Sequence, residues 1–179
     1  MKNTKNIAYL SMFIAMEVIL SRFLSIQTPI VKFGFSFLPI AAASIMFGGI
    51  LGGAAAAIAD VLGAVMFPIG AYFPGFTVSA FLGGTLYGII MHKKKSSILR
   101  TIAAVAIITI IVDLVLNTYW LTLITGKTAS ILIIPRVIRS AIMFPVQSAL
   151  IYSLWNILEK VYHTDNTVRY HEKSKIKCN

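Results

Sequence analysis

Cysteine occurs once in 179 residues, at Cys178, so no disulfide framework holds this chain together. Charge is scarce as well. Charged residues make up 12% of the sequence, against about 25% in an ordinary soluble domain. Acids are the scarcer sign, 6 Asp+Glu against 16 Lys+Arg, giving a formal net charge of +10. What fills the space is apolar: 58% hydrophobic residues and a mean hydropathy of +0.83. Such a chain has too little polar surface for water, and its composition excludes disorder, collagen and coiled coil. It reads as an integral membrane protein.

A strongly basic balance raises nucleic acid as a partner, but the positions argue against it. Lys2 and Lys5, the Lys93-Lys94-Lys95 run with Arg100, and Lys160, Arg169, Lys173, Lys175 and Lys177 account for eleven of the basic residues. All eleven lie at chain ends or in one short loop, with apolar runs between them. This is the positive-inside signature of membrane topology, with no aromatic interleaving of a nucleic-acid module.

The apolar pattern predicts a first helix from about Ile7 to Leu24, roughly 18 residues and close to the ~30 Å of a hydrocarbon core. Ser25 to Phe35 reads as a loop, broken by Pro29 and Gly34. A short second helix ends near Phe47, and Gly48-Gly49 turns the chain into a third that ends near Met66. Phe67 to Gly75, with two prolines and two glycines, is a structured loop. The fourth helix runs from Phe76 to about His92 and the fifth from about Leu99 to Asn117. Thr118 to Ile134 reads as a second long loop, and the sixth helix runs from Pro135, in its first turn, to about Lys160. Pro145 is interior and predicts a kink. The fold class is therefore an all-α, six-transmembrane-helix bundle over residues 1–162 with structured outer loops. Both termini are cytoplasmic, and a basic tail, 163–179, lacks structure of its own. The first helix carries no A-x-A cleavage signal at its end and is not read as a removed leader.

The five remaining basic residues, Arg22, Lys32, Lys127, Arg136 and Arg139, fall at the outer side, where few are expected. Arg136 and Arg139 share one helix face by i,i+3 spacing. Guanidinium forks match carboxylates and phosphates, which suggests an anion site. Snorkelling to headgroups, or pairing with the apolar-segment acids Glu17, Asp60 and Asp113, is the plainer account, and Asp60 and Asp113 read mainly as helix–helix struts. Aromatics gather on the same side: Phe33, Phe35 and Phe37, then Phe67, Tyr72, Phe73 and Phe76, then Tyr119 and Trp120. An interfacial belt explains them without a ligand. Beside arginines and Asn117, they also suit a flat heteroaromatic with an anionic tail.

Small residues sit elsewhere. Gly48, Gly49, Gly52, Gly53, Gly84 and Gly88 have GxxxG spacings that favour close packing within the chain. Ser11 and Ala15 form a small-xxx-small pair on the first helix that leaves room for a partner helix. No HExxH, CxxC or GxSxG motif is present, and His92, His163 and His171 lie at the cytoplasmic edge or in the tail. No catalytic residue, metal ligand or cofactor is expected. Gly126-Lys127-Thr128 copies the end of a P-loop, but the first glycine of that pattern is replaced by Leu121. The chain carries no energy source and no inverted repeat, so it reads as a membrane-embedded binder that needs help to move its ligand.

Particular segments now fit a known family. Ser21-Arg22-Phe23-Leu24-Ser25-Ile26, Thr28-Pro29-Ile30-Val31-Lys32 and Ala59-Asp60-Val61-Leu62-Gly63 are three of them. Phe67-Pro68 with Gly70-Ala71-Tyr72-Phe73-Pro74-Gly75-Phe76-Thr77 is the most specific. Asn117-Thr118 with Trp120-Leu121, and Pro135-Arg136 with Met143 and Pro145, complete the set. Over about residues 7 to 160 the chain resembles the substrate-binding S components of energy-coupling factor (ECF) vitamin transporters, most closely the folate-specific ones.

The resemblance implies a pocket on the extracytoplasmic side and high-affinity folate binding. It also implies delivery across the plasma membrane after docking on a transmembrane coupling subunit driven by two ATPase subunits. It implies that Phe33, Gly34, Phe35, Tyr72, Phe73, Pro74, Gly75 and Thr77 line the pocket, with Asn117 and Trp120 near the pterin. Arg22, Lys32, Arg136 and Arg139 are the implied carboxylate partners. The family docks through an AxxxA pattern on the first helix, matched here by Ser11 and Ala15. The rivals are an S component for riboflavin or thiamine, and a membrane assembly protein whose outer loops bind another protein.

Overall fold

The computed structural model describes the backbone of residues 2–27, 32–68, 72–126 and 128–177. Helix α1 (Lys2–Arg22) leads into a hairpin of β1 (Ser25–Gln27) and β2 (Lys32–Gly34), paired antiparallel with Ser25 opposite Gly34 and Gln27 opposite Lys32. Then come α2 (Phe37–Phe47), α3 (Gly49–Met66) and α4 (Pro74–Met91). The next helix is continuous from Ile98 to Thr125 but changes character along its length. It is α5 over Ile98–Ile108, a π-helical segment over Thr109–Leu116, and α6 over Asn117–Thr125. Helix α7 (Ala129–Lys177) closes the chain. These are the six helical units expected, with one two-stranded hairpin added in the first outer loop.

Four of the units are long and apolar enough to span a bilayer: Gly49–Met66, Pro74–Met91, Ile98–Thr125 and Leu132–Lys160. Their outward faces are apolar too, with Ile50, Val65, Ile89 and Ile110 exposed. In water such a surface would be a liability; in lipid it costs nothing.

Three boundaries differ from the sequence expectation. Thr118–Ile134 is not a long loop. The helix runs through Thr118–Thr125 because no glycine or proline interrupts it, and the hydroxyls of Thr122 and Thr125 turn back onto the carbonyls of Tyr119 and Leu121, each at 2.7 Å. It ends at Gly126, whose φ of +64° forms a left-handed cap, and its N–H donates to the Thr122 carbonyl at 2.9 Å. Pro135 is consequently not in a first turn but lies inside α7, as does Pro145. The backbone of α7 also stays helical beyond 163, a stretch without glycine or proline.

Helices α3 and α4 pack through their glycines. A Cβ at Gly84 would stand 2.7 Å from the Gly52 carbonyl oxygen, and one at Gly49 would stand 2.9 Å from the Thr85 carbonyl oxygen. Only hydrogens fit there, so the backbones meet directly. Gly48, at φ +92°, makes the turn between α2 and α3, and the His92 ring covers it while His92 Nδ1 meets the Ile45 carbonyl at 2.7 Å. The apolar core gathers at this lysine-loop end: Ala41, Ile45, Tyr87, Met91, Ala104, Val105, Ile108, Ile151 and Trp155. Within it, Gln147 Nε2 donates to Tyr87 Oη at 2.9 Å. The Glu159 carboxylate accepts the Ser96 backbone N–H at 2.9 Å and ties α7 to the lysine loop. With the apolar core at that end, the opposite end is where polar and aromatic side chains meet.

Candidate functional site

At the far end of the bundle, α4 begins with an aromatic cluster. Pro74 occupies the first turn, where its missing N–H is harmless, and fixes Phe73 immediately before it. The Phe73 ring meets Trp120 of α6 at 5.6 Å between centroids, tilted by 47°, and meets Phe76 edge-on at 6.4 Å. Gly75 is buried beneath them. A Cβ there would come within 2.6 Å of Phe73 and 2.5 Å of the Trp120 indole, so glycine lets the two rings close over α4. Trp120 is fixed at its polar edge, because its indole Nε1 donates to Ser79 Oγ at 3.1 Å, and Ser79 is wholly buried.

One turn from Phe73, Thr77 donates its hydroxyl to Asp60 Oδ2 of α3 at 2.7 Å, and Tyr72 Oη lies 2.9 Å from the same threonine oxygen. Arg22, at the end of α1, lays its guanidinium over Gly63, where a Cβ would stand 3.0 Å from Arg22 Nε. Gly63 is one turn from Asp60, so Arg22 and Asp60 flank the same face of α3. Arg22 Nε is buried and has no hydrogen-bond partner among the described residues.

The third group belongs to the π segment. Asp113 Oδ2 is 3.7 Å from Arg139 Nη1, and its Oδ1 accepts a 3.3 Å hydrogen bond from Asn117 Nδ2. Arg136 Nη1 donates not to the carboxylate but to the Asp113 backbone oxygen, at 2.9 Å, and stands 3.5 Å from Thr118 Oγ1. A π-helical stretch disrupts the i→i−4 ladder, and Arg136 takes up a carbonyl there. Asn117 Oδ1 and Arg136 Nε remain buried without a hydrogen bond among the described residues. Buried polar atoms left in this way point to a bound group that satisfies them.

Of the residues singled out in sequence, Tyr72, Phe73, Pro74, Gly75, Thr77, Asn117, Trp120, Arg136 and Arg139 therefore share one end of the α4–α6–α7 packing. Arg22 stands against α3 on that side. Gly34 pairs with Ser25 in the hairpin, and Phe35 packs on Phe37 at 6.3 Å and is exposed. Lys32 and Phe33 pair through their backbones with Gln27 and Ile26, and their side chains lie outside the described residues. Thr28 to Val31, Gly70, Ala71 and Lys127 lie outside them altogether. Ser11 and Ala15 face outward from α1, away from this cluster. Among the described residues no group of three His, Cys, Asp or Glu side chains is placed to hold a metal ion.

The sequence profile described as "ECF transporter, substrate-specific component" matches residues 5–155. The chain belongs to this family of ECF transporter components. The family is a transporter component and not an enzyme. The S component described here is similar to the protein named "Folate transporter FolT" of Clostridium novyi (strain NT), with 42% identity over 172 residues, covering 96% of this chain and all of that one. A second "Folate transporter FolT", from Leuconostoc mesenteroides, is 32% identical over 160 residues, covering 86% of each. In three dimensions it is similar to a crystal structure of FolT bound with folic acid. That match has a TM-score of 0.83 and 37% identity, and it covers 86% of this chain and 93% of the other.

Several contributors at this site were not singled out from the sequence. Ser79 and Thr118 carry no signal on their own, because single hydroxyls in apolar helices usually bond back to their own backbone. Asp60 reads from the sequence as a strut between helices, and its side chain does join α3 to α4, accepting a hydrogen bond from Thr77 at 2.7 Å. Only the folded arrangement brings α3 and α4 close enough for that contact.

Proposed function

We propose that this S component binds folate on the extracytoplasmic side of the plasma membrane and delivers it inward as part of an ATP-driven ECF transporter. Near-full-length similarity to two proteins named for folate transport carries the reading. The chemistry of the site agrees with it. Phe73 and Trp120 offer stacking surfaces to a pterin or benzoyl ring, and Arg22, Arg136 and Arg139 offer guanidinium groups to a glutamate tail. Asn117 Oδ1, buried and without a hydrogen bond among the described residues, suits a ring N–H. Lys32, Phe33, Gly34, Phe35, Tyr72, Pro74, Gly75 and Thr77 complete the proposed lining. Folate is cargo here, and no resident cofactor enters the scheme.

The partners are a transmembrane coupling subunit and two ATPase subunits, which supply the energy that this chain has no motif to capture. Ser11 and Ala15 on α1 are the proposed docking pair.

Calorimetric titration of the detergent-purified protein with folate, riboflavin and thiamine tests the reading. One-to-one binding of folate alone is expected. Binding of riboflavin or thiamine instead keeps the architecture and overturns the ligand. No binding of any of the three by a folded sample favours a protein-binding role.

A further inference from the structure

The backbone of the helix from Ile98 to Thr125 changes step at Asn117. The Asn117 N–H donates to the Val112 carbonyl, five residues back. In an unbroken α-helix it would take the carbonyl four back, which is that of Asp113. That oxygen is engaged from outside the helix, by Arg136 Nη1 of α7 at 2.9 Å. An oxygen aimed out of the ladder at a charged donor is not lined up for the N–H one turn on.

The step has consequences further along. A π segment carries, in effect, one residue more than the α-helix it interrupts. One residue is about 100° of rotation and about 1.5 Å of rise. Were Asn117 to return its N–H to Asp113, α6 would turn by about that angle against α5. Trp120 would then leave both Ser79 Oγ, now 3.1 Å from its indole nitrogen, and the Phe73 ring at 5.6 Å. We infer that Arg136 is a positioning residue: by holding the Asp113 carbonyl it keeps this helix in its π register, and the register aims Asn117 and Trp120 at the site. Arg136 Nε makes no hydrogen bond among the described residues, so the same guanidinium holds the register and still has a donor for an anion. The register belongs to the chain alone, whereas its bearing on binding rests on the folate reading above.

A deletion separates this role from ordinary packing. Loss of one residue from a regular helix throws everything after it out of phase by about 100°. Loss of Ile111, an exposed side chain within the π segment, removes the extra residue instead. The ladder then closes in α steps with α6 in its present phase, and Arg136 is no longer needed to keep it there.

The full-length protein in detergent, labelled with 5-fluorotryptophan, tests this by fluorine NMR. It has two tryptophans, Trp120 and Trp155, assigned through Trp120→Phe, and Trp155 lies in the apolar core as an internal reference. The samples are wild type, Arg136→Met, the Ile111 deletion, and the two changes together. Arg136→Met is expected to move or split the Trp120 resonance and leave that of Trp155 in place. The deletion is expected to keep the wild-type Trp120 position, and Arg136→Met added to it should move nothing. A Trp120 resonance unmoved by Arg136→Met, or moved equally with and without the deletion, overturns the inference. Folate titration of the same samples reads the bearing on binding: about 10-fold of the affinity lost in Arg136→Met should return in the double variant, and no return overturns the positioning role. Wild type that binds no folate fails the folate reading, while the fluorine spectra of the unliganded protein still decide the register. Thermal unfolding reports folding, and if the deletion does not fold, amide exchange decides. The Asn117 amide is then expected to exchange about 10-fold faster in Arg136→Met, with the amides of α5 unchanged. An unchanged Asn117 rate, or an equal rise along the whole helix, overturns the inference.

Discussion

Trp120 and Ser79, 41 residues apart in sequence, are joined by a 3.1 Å hydrogen bond from the indole N–H to a hydroxyl that is wholly buried. The bond turns a large amphipathic ring into a fixed wall. Its π face is left for Phe73 on one side, and Gly75 underneath leaves the rings room to close. Position along α6 sets where Trp120 starts, and Ser79 sets which way it points.

Ser79→Ala is therefore expected to weaken folate binding by about 5- to 10-fold while costing about 1 kcal/mol or less of stability. Trp120→Phe should keep part of the affinity through stacking, and Trp120→Ala should lose more. Calorimetric affinities beside thermal unfolding in the same detergent separate the two effects. A Ser79→Ala loss confined to stability would mean that the bond merely packs α4 against α6.

The glycine seam makes a paired prediction. Gly84→Ala adds a methyl 2.7 Å from the Gly52 carbonyl oxygen, so α3 and α4 must separate, at a cost of about 1–3 kcal/mol. At Gly83, one residue earlier, an added Cβ meets nothing within 4 Å, and alanine there should be neutral or stabilising by up to about 1 kcal/mol. Thermal unfolding of the two variants decides it. Equal effects would remove the close-packing account of α3 and α4.

How much of this was legible depends on where the sequence carries a breaker. Gly48-Gly49 marks the α2–α3 turn, and Phe67 to Gly75 marks the loop before α4, because glycine and proline restrict the backbone wherever they stand. Gly126 marks the end of α6, yet the stretch before it, from Thr118, was read as loop on its polar and aromatic content. Helix and structured loop look alike there without a breaker. The π segment over Thr109–Leu116 leaves no trace in hydropathy at all. Its carbonyl at Asp113 finds Arg136 only once α7 has folded beside it. The site was legible as a list of residue types at one end of the bundle. Which acid meets which partner was not, since Asp60 and Asp113 sit in similar apolar runs and differ only in their neighbours.

Arg136 and Arg139 stand one turn apart on α7 but hold Asp113 differently. Arg139 Nη1 is 3.7 Å from the carboxylate, a loose pair, whereas Arg136 donates to the backbone oxygen at 2.9 Å. Arg136→Ala should therefore reduce stability by about 1.5–3 kcal/mol along with folate affinity, since a part-buried carbonyl in the π segment loses its charged donor. Arg139→Ala should act mainly on affinity. Lysine at 136 should rescue little, because a single ammonium lacks the planar fork. Thermal unfolding and titration on the three variants check this, and equal destabilisation by both alanine changes would count against the division.

The outward face of α1 gives the last prediction its logic. Ser11 donates its hydroxyl to the Ile7 carbonyl at 2.9 Å, so the face it shares with Ala15 offers a shallow surface whose hydroxyl proton is already used. Met12, Met16 and Ile19 lie exposed nearby, while Glu17, Val18 and Ser21 turn inward. Such a face suits a partner helix at close range. Ser11 also stands 11 residues before Arg22, about 16 Å along the helix, too far to touch the ligand side. Ser11→Trp and Ala15→Trp should accordingly leave folate affinity within about twofold and abolish co-purification with the coupling subunit. The Trp changes add bulk where only small side chains permit approach, and the Ser11 change removes only the local bond of its hydroxyl to the Ile7 carbonyl. Retained co-purification in both variants would move the docking surface off this face, whatever the outcome at the folate site.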